Sequence, residues 1–170
     1  MTKSKPLPPV DQVRKLLSYD PKTGDFSWNQ SIGRRYKCGD SAGGINAKGY
    51  RVVFLNKKQY RCHRLAWLLM TGQDPGGYQI DHINGNKSDN RWENLRLATN
   101  SQNRLNAKRP TSNTSGAKGV RWCAKDRCWF ARVALNGRNV LYRRFRSFDD
   151  ACDAATWARD THHKEFARHV

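Results

Sequence analysis

The residue types with the clearest chemical use are grouped near the middle of the chain. Asp81 and His82 are adjacent, Asn84-Gly85-Asn86 follows, and Asn94 and Asn103 come later. A neutral imidazole accepts a proton near physiological pH, and carboxylate and amide oxygens hold hard cations. Neighbouring side chains on a strand point to opposite faces, so Asp81 and His82 serve one site only if the chain turns around them. The Asn-Gly-Asn run supplies such a turn, and the stretch predicts strand, loop, strand and helix.

The pattern resembles the motif of the His-Asn-His (HNH) endonucleases, in particular their phage and intron-homing branch. The resemblance rests on the Asp81-His82 pair, Asn94 and Asn103 at these intervals. The resemblance spans about residues 60–106. It implies a ββα-metal motif that cleaves DNA, with His82 as the general base. It also implies that Asp81 and Asn103 bind a divalent cation, and that Asn94 pins the loop and orients the base. The motif here ends in Asn103 rather than in the His of the family name, a variant familiar in the homing branch.

The chemistry of phosphodiester hydrolysis explains these residue types. The reaction needs a nucleophile made from water, and the imidazole of His82 is suited to accept the proton. Charge on the scissile phosphate and on the leaving 3′ oxygen requires a hard cation, which Asp81 and Asn103 suit. Because these ligands are oxygens, we expect one Mg²⁺ or Mn²⁺ per site rather than zinc. The competing interpretation is a hydrogen-bonded surface pair beside a hairpin turn, and the conjunction of residues favours the nuclease site.

The composition indicates a nucleic acid partner. The chain has 170 residues, with 32 Lys and Arg against 14 Asp and Glu, and a formal net charge of +18. A polyanion is the natural partner for such a chain, and the resemblance to the HNH endonucleases implies that this partner is double-stranded DNA. A membrane surface is the alternative, but the sequence has neither a basic amphipathic helix nor an apolar run near about 20 residues. No obligate protein partner is evident.

The first residues and the cysteines indicate the compartment. Met1–Pro9 is polar and proline-rich and lacks the apolar segment of a secretory signal. We therefore expect an intracellular protein, in the cytoplasm or nucleoid of a bacterial host, and not a secreted one. The five cysteines are scattered and form no Cys-x-x-Cys pair, so we expect reduced thiols. Cys123 and Cys128 resemble half of a zinc site, and no second half follows.

We predict an α+β fold with four segments. Residues 1–59 are interpreted as an N-terminal basic extension of helix and strand, and residues 60–106 as the small HNH nuclease domain. Residues 107–117 have the composition of a linker, and residues 118–170 are interpreted as a second DNA-binding domain. Val10, Val13, Leu16 and Leu17 have helical spacing and predict a helix over residues 10–19. His63 opens a second predicted helix, which ends at the Thr71-Gly72 pair, and we expect His63 to be a hydrogen-bonded structural residue rather than a catalytic one.

Positive charge is concentrated after the nuclease domain. Between Arg104 and Arg146 the chain has twelve Lys or Arg residues and a single acid, Asp126. Arg104, Lys108 and Arg109 are candidate DNA contacts at the start of this region. Tryptophan, phenylalanine and tyrosine residues alternate with the later arginines, which predicts a basic sheet surface on an aromatic base.

The last segment predicts three antiparallel strands and a helix. The strands are expected at residues 119–122, 128–133 and 140–145, and Asn136-Gly137 is a strong hairpin signal between the second and the third. Ser147 precedes two acids and an alanine-rich helical face, as a helix cap would.

This order resembles the AP2 DNA-binding domain over about residues 118–168. The resemblance rests on Gly-Val-Arg in the first strand, Trp129 in the second, Arg-x-Phe after the third and the alanine-rich helix. It implies that the sheet lies in the major groove. The residues that it implies as DNA contacts are Arg121, Trp122, Arg132 and Arg143. The chain has Leu141-Tyr142-Arg143 where Trp-Leu-Gly is common in the third strand.

The sequence thus predicts a metal-dependent, homing-type DNA endonuclease in which the AP2-like module and the basic N-terminal extension hold the duplex. One alternative from another class is a sequence-specific DNA-binding regulator with a vestigial nuclease motif. A second alternative is a restriction or repair nuclease.

Overall fold

A computed structural model describes residues 5–169 and divides the chain into two compact units, Met1–Thr99 and Asn100–Val170. Both units combine helices with small antiparallel sheets, as the predicted α+β class requires. The first four residues of the predicted N-terminal extension and the last residue of the predicted C-terminal domain lie outside the described residues. Within residues 5–169, no helix is both long enough and apolar enough to cross a bilayer.

The first unit has two helices and seven strands among its described residues. The helices are α1 (Val10–Leu16) and α2 (Cys62–Thr71); the strands are β1 (Leu17–Tyr19), β2 (Phe26–Trp28), β3 (Gly44–Ile45), β4 (Arg51–Leu55), β5 (Lys58–Arg61), β6 (Gln79–His82) and β7 (Leu95–Ala98). β1 pairs with β2, β4 lies between β3 and β5, and β6 pairs with β7. A 3-10 turn over Trp92–Asn94 leads into β7.

The first unit has one hydrophobic core that crosses the predicted domain boundary. Buried side chains from both sides of residue 60 pack together: Val13, Leu17, Phe26, Trp28, Ala42, Val53, Leu55, Cys62, Leu65, Ala66, Leu68, Ile80 and Leu95. The structure therefore differs from the predicted boundary between residues 59 and 60. Residues 1–59 bury their apolar side chains in the same core as α2 and the β6–β7 hairpin, so the two parts share one core.

Two predicted elements of this unit illustrate what local pattern can predict. α2 ends at Gly72, whose φ of 74° is the left-handed cap predicted from the Thr-Gly pair. The predicted helix over residues 10–19 instead ends at Leu16. Residues 17–19 form β1 because Leu17 pairs with Trp28 and Tyr19 with Phe26, which buries Leu17 and Phe26. Here tertiary pairing outweighs helical periodicity.

The turn between β1 and β2 lies tightly against the segment that precedes the 3-10 turn. The backbone N–H of Trp92 donates to the carbonyl of Pro21 at 2.9 Å. Gly24 has a φ of 77°, and a Cβ there would lie 2.5 Å from the nitrogen of Arg91 and from the carbonyl carbon of Asn90. Only glycine combines this backbone conformation with so close an approach.

Gly24→Ala is therefore expected to destabilise the first unit by about 1–3 kcal/mol, because it adds a steric clash to an unfavourable φ. Gly49→Ala is the matched control, since Gly49 has a φ of 80° and no heavy atom within 4 Å of an added Cβ. Urea denaturation of both variants measures the difference. Equal destabilisation would contradict a tight contact at Gly24.

The second unit contains the predicted sheet and helix. Its elements are α3 (Asn100–Leu105), β8 (Val120–Cys123), β9 (Cys128–Leu135), β10 (Arg138–Phe145), α4 (Phe148–His163) and a 3-10 turn over Lys164–Phe166. β9 is central in an antiparallel sheet of three strands. Asn136 and Gly137 have φ of 50° and 80°, as a two-residue hairpin turn requires. The Ser147 hydroxyl accepts from the backbone N–H groups of Asp149 and Asp150 and caps α4, as predicted.

The predicted linker is anchored to the second unit. Asn113 Nδ2 donates to the carbonyl of Ala117 at 2.9 Å, and the Ser115 hydroxyl donates to that of Val120 at 2.6 Å. Lys118 Nζ donates to the carbonyl of Ala107 at 2.6 Å. These contacts explain why residues 107–117 fold with the sheet although their composition is that of a linker. The five cysteines, all of them within the described residues, are free thiols, as expected.

Candidate active site

Strands β6 and β7 place Asp81, the predicted metal ligand, next to His82, the predicted base, in one hairpin. Asp81 pairs with Arg96 across the two strands, and His82 pairs with Leu95. Asp81 and His82 are consecutive in β6, so their side chains leave opposite faces of the hairpin. Both residues are only 5% exposed. Aspartate and histidine are seldom buried to this extent. The groups that surround Asp81 and His82 therefore control their charge and reactivity.

Asn94 closes the loop that follows His82. Its Oδ1 accepts from the backbone N–H of Asn84 at 2.9 Å, and its Nδ2 donates to the carbonyl of Asp89 at 2.8 Å. The carbonyl of Asn94 also accepts from the N–H of Ile83 at 2.9 Å. The buried side chain of Asn94 therefore joins both ends of the loop over residues 84–89. This loop begins two residues after His82, so Asn94 lies in the same part of the first unit as Asp81 and His82.

A residue that the sequence did not indicate contacts the imidazole of His82 directly. Asn90 Oδ1 lies 3.1 Å from His82 Nε2, and Asn90 is 1% exposed. No signal in the sequence distinguishes it from the other polar residues of the loop, since Asn84 and Asn86 are equally typical of turns. Burial of an asparagine whose amide meets a histidine is visible only in three dimensions.

The rings of His63 and Tyr50 also lie close to His82. The ring of His63 meets that of His82 edge-on, with 4.9 Å between centroids, and Tyr50 lies 5.4 Å from His63 and 6.3 Å from His82. The Nδ1 atom of His63 is buried and makes no hydrogen bond within the described residues, which differs from the hydrogen-bonded role expected for His63. His63 instead packs against the ring of the predicted base.

Burial controls the charge of both histidines. It lowers the pKa of His63 well below 6.5, and the nearby His82, Arg61 and Arg64 lower it further. The pKa of His82 is also lowered, first by burial, although the hydrogen bond that its Nε2 makes to Asn90 Oδ1 and the charge of Asp81 oppose that change. Both rings are therefore neutral near physiological pH, the state in which imidazole can accept a proton.

The lowered pKa of His63 predicts a pH dependence of folding. Because the unfolded chain binds a proton near pH 6.5 and the folded chain does not, stability is present above that pH and is lost as the pH falls below it. The loss attributable to His63 should reach about 1 kcal/mol one pH unit lower. Urea midpoints at several pH values measure it. Replacing His63 by Phe should flatten the acid side of this profile, and an unchanged profile in that variant would contradict the assignment.

Asp81 is the candidate ligand for a divalent cation. Its Oδ2 atom lies 2.9 Å from both Nε and Nη2 of Arg96. Within residues 5–169 no group of three or more His, Cys, Asp or Glu side chains could hold a metal ion. A buried carboxylate together with an amide oxygen nevertheless suits Mg²⁺ or Mn²⁺, which fill further positions with water and phosphate. The donor types present therefore fit the predicted ion, with Arg96 as a competitor for the carboxylate.

Asn103, the second predicted ligand, is partly buried in α3 of the second unit. Asp81 lies in β6 of the first unit, and the pairing of Asn103 with Asp81 stays a prediction. Along the chain, Thr99 alone separates β7 from α3, so the element order strand, loop, strand, helix is the predicted one.

The sheet of the second unit has one face covered by α4 and one open face. Val120, Ala131 and Val133 point toward α4 and form a core with its alanines. Arg121 and Arg144 are opposite Phe130 in adjacent strands, so all three lie on the open face. The guanidinium carbons of these two arginines lie 5.0 and 5.2 Å from the centre of the Phe130 ring. This arrangement is the predicted basic surface on an aromatic base.

The register separates the predicted DNA contacts of the sheet into two groups. Arg132 pairs with Tyr142 and shares the open face with Arg121. Trp122 and Arg143 lie on the side of α4, because Trp122 pairs with Trp129 and Arg143 with the buried Ala131. Candidates that are close in sequence thus point in opposite directions. The earlier candidates Arg104, Lys108 and Arg109 are exposed, at the end of α3 and in the segment after it.

Comparison with known proteins identifies the nuclease region independently. Residues 60–105 match the family model described as HNH endonuclease. The chain is 39% identical over 124 residues to Protein 3.8 of Escherichia phage T7, an alignment that covers 71% of this chain and 97% of that protein. It is 38% identical over 95 residues to the uncharacterized HNH endonuclease L560 of Acanthamoeba polyphaga mimivirus, covering 55% of this chain and 47% of that protein. No solved structure matches the chain.

Proposed function

Since the chain belongs to the family of Protein 3.8 of Escherichia phage T7 and contains an HNH endonuclease domain at residues 60–105, we propose that it is a metal-dependent endonuclease that hydrolyses phosphodiester bonds of duplex DNA. The observation that carries this proposal is the buried, neutral His82 next to a buried carboxylate in one hairpin. A general base must be neutral and fixed in place, and His82 meets both requirements.

The proposed mechanism assigns one task to each of the predicted site residues. His82 accepts a proton from the water that attacks the scissile phosphorus. Asp81 and Asn103 would hold a divalent cation, which would supply positive charge for the phosphate and for the leaving 3′ oxygen. Asn94 holds the loop over residues 84–89, so that the end of β6 stays in place around His82. The burial of His82 keeps it neutral at the pH of the reaction.

Duplex binding is the proposed role of the second unit. Its open sheet face presents Arg121, Arg132 and Arg144 around an aromatic centre, and the exposed Lys108 and Arg109 extend the positive charge along the chain. These features support an AP2-like use of the sheet on duplex DNA, with Phe130 and Tyr142 supporting the guanidinium groups. Trp122 and Arg143, on the side of α4, are the weaker candidates among the residues that the resemblance implies.

Arg121→Gln and Arg143→Gln test which face binds DNA. Loss of one phosphate contact by Arg121→Gln should weaken duplex binding roughly fivefold and reduce the slope of log affinity against log salt concentration by about 1. Arg143→Gln removes the same charge from the same sheet and should leave both quantities nearly unchanged. Fluorescence anisotropy over a series of salt concentrations measures them. Equal effects of the two substitutions would contradict the assignment of the open face.

The function is tested by incubating supercoiled DNA with the chain, with and without Mg²⁺ or Mn²⁺. Metal-dependent conversion to open circles or to linear DNA, lost on chelation, supports the nuclease and distinguishes nicking from cleavage of both strands. Tight, salt-sensitive binding without cleavage would instead support the DNA-binding regulator. Preference for an allele that lacks an intervening element would favour a homing role over restriction or repair. Action on duplex DNA inside a bacterial cell, without an obligate protein partner, is part of the same proposal.

A further inference from the structure

The amide of Asn90 has a defined orientation against His82. Asn90 Nδ2 donates to the carbonyl of Ser88 at 3.2 Å, which leaves Oδ1 to face His82 Nε2 at 3.1 Å. An amide oxygen can only accept a hydrogen bond, so the neutral imidazole must carry its proton on Nε2. In that tautomer Nδ1 is the basic nitrogen of His82. The orientation of one buried amide therefore decides which nitrogen can act as the base.

Asn90 is held from a part of the chain that precedes the nuclease domain. The hydroxyl of Tyr19, in β1, donates to the carbonyl of Asn90 at 2.7 Å. Burial raises the pKa of Tyr19 to about 12, with smaller contributions from Asp20 and Asp89, so its hydroxyl remains a donor at physiological pH. The ring of Tyr19 packs on Phe26 in β2, with 4.9 Å between centroids, which keeps the hydroxyl in place.

The turn after Tyr19 supports the same segment at two further points. Pro21 accepts the backbone hydrogen bond of Trp92, and Gly24 lies against the backbone of Asn90 and Arg91. The turn is closed by its own hydrogen bond from the N–H of Gly24 to the carbonyl of Asp20 at 2.8 Å. Residues 19–24 thus contact the chain at three points, which lie at the carbonyl of Asn90 and at the two residues that follow it.

We propose that residues 17–28, called here the buttress, are a positioning element of the nuclease site, which holds Asn90 so that His82 keeps its proton on Nε2 and presents Nδ1 as the base. This inference rests on the proposed function of His82. The buttress lies outside the HNH match at residues 60–105, and none of its side chains is among the predicted site residues. The nuclease site of this chain consequently extends into its N-terminal segment.

The tautomer can be measured without any cleavage assay. Histidine ring ¹⁵N shifts, recorded without metal at a pH where His82 is neutral, distinguish a protonated Nε2 from a protonated Nδ1. The His82 signal is assigned by its absence from the His82→Ala spectrum. We expect protonation at Nε2 in the unmodified chain, and protonation at Nδ1 or an equal mixture of tautomers would overturn the proposal. Asn90→Asp keeps an acceptor and should keep the tautomer, whereas Asn90→Leu should lose the Nε2–H hydrogen bond.

The role of the buttress is tested by Tyr19→Phe, which removes a single hydroxyl group. We expect kcat to fall roughly fivefold with the Kd for DNA unchanged, and the His82 Nε2–H proton to exchange faster with water. Tyr36→Phe removes the same atom elsewhere in the first unit and should change none of these quantities. If Tyr19→Phe cleaves like the unmodified chain and keeps the same Nε2–H exchange rate, the buttress role is overturned while the nuclease function stands. If neither the unmodified chain nor any variant cleaves DNA, the proposed function fails. The Nε2–H exchange rate and the tautomer of His82 still test the positioning role in that case.

Discussion

Replacing His82 by alanine is expected to lower the cleavage rate about 10²–10⁴-fold while the Kd for duplex DNA stays within about twofold. General-base catalysis lowers the free energy of the transition state and does not contribute to DNA binding. The basic surfaces proposed to bind DNA are formed by other residues. His82 is buried in the first unit, with Asn90 and His63 as its neighbours, so it presents no surface to the DNA that would contribute much to binding. Single-turnover cleavage and anisotropy on the same oligonucleotide give the two quantities.

The control for this prediction is His162→Ala, which removes an imidazole from α4 of the second unit. It should leave both the cleavage rate and the Kd unchanged. A denaturation curve for His82→Ala shows whether the variant is folded at the assay temperature, since a cavity in a buried site is destabilising. Parallel losses of binding and cleavage in folded His82→Ala would argue against the general-base role.

Arg96→Leu is expected to have the largest effect on stability, about 3 kcal/mol, because it removes the guanidinium that pairs with the buried Asp81 carboxylate. The side chains of Asp81 and Arg96 are only 6% and 15% exposed. Water therefore cannot replace the guanidinium without a change in the hairpin. The free energy of unfolding from urea titration measures this loss.

Arg91→Leu is the matched control, since Arg91 also pairs with an aspartate at 2.9 Å but is 43% exposed. A surface pair of this kind contributes at most about 1 kcal/mol. The pKa of its partner Asp89 is lowered to about 2, first by the hydrogen bond from Arg91, but solvent screens the contribution of that pair to stability. Similar losses in Arg96→Leu and Arg91→Leu would show that burial of the Asp81–Arg96 pair is unimportant.

The same variant tests the metal site. In the unmodified chain a cation must share the Asp81 carboxylate with Arg96 or displace the guanidinium, whereas in Arg96→Leu the carboxylate has lost that competitor. Mn²⁺ or Mg²⁺ should therefore raise the Tm of Arg96→Leu more than that of the unmodified chain, and a chelator should reverse the gain. No metal-dependent shift in either protein would argue against Asp81 as a ligand.

Local patterns predicted most of the elements and the family of the nuclease region. The Asn136-Gly137 turn, the Ser147 cap and the Gly72 helix end were each predicted from a few adjacent residues, and all are present. The Asp-His pair and the later asparagines indicated an HNH endonuclease, in agreement with the match at residues 60–105. Such signals depend on backbone preferences or on fixed spacing within a short stretch, and these are properties of the sequence itself.

The faces of the second sheet were only half predictable. Alternation by itself places Arg121 and Trp122 on opposite sides of β8, since successive side chains point in opposite directions. Which side α4 covers depends on the packing of its alanines against Val120, Ala131 and Val133. The sequence therefore predicted a basic and aromatic sheet, and the fold decided that Phe130 is the residue between the arginines.

The sequence by itself determined which chemical groups are proposed for the site, namely Asp81, His82, Asn94 and Asn103, because their types and intervals match the motif. Only the tertiary structure decided how His82 is held. Asn90 meets its ring, and Tyr19 reaches Asn90 across a separation of 71 residues. The single core that joins residues 1–59 to the hairpin makes that contact possible. Contacts between residues so far apart in sequence depend on how apolar faces pack together. That packing cannot be predicted from a local pattern of residue types.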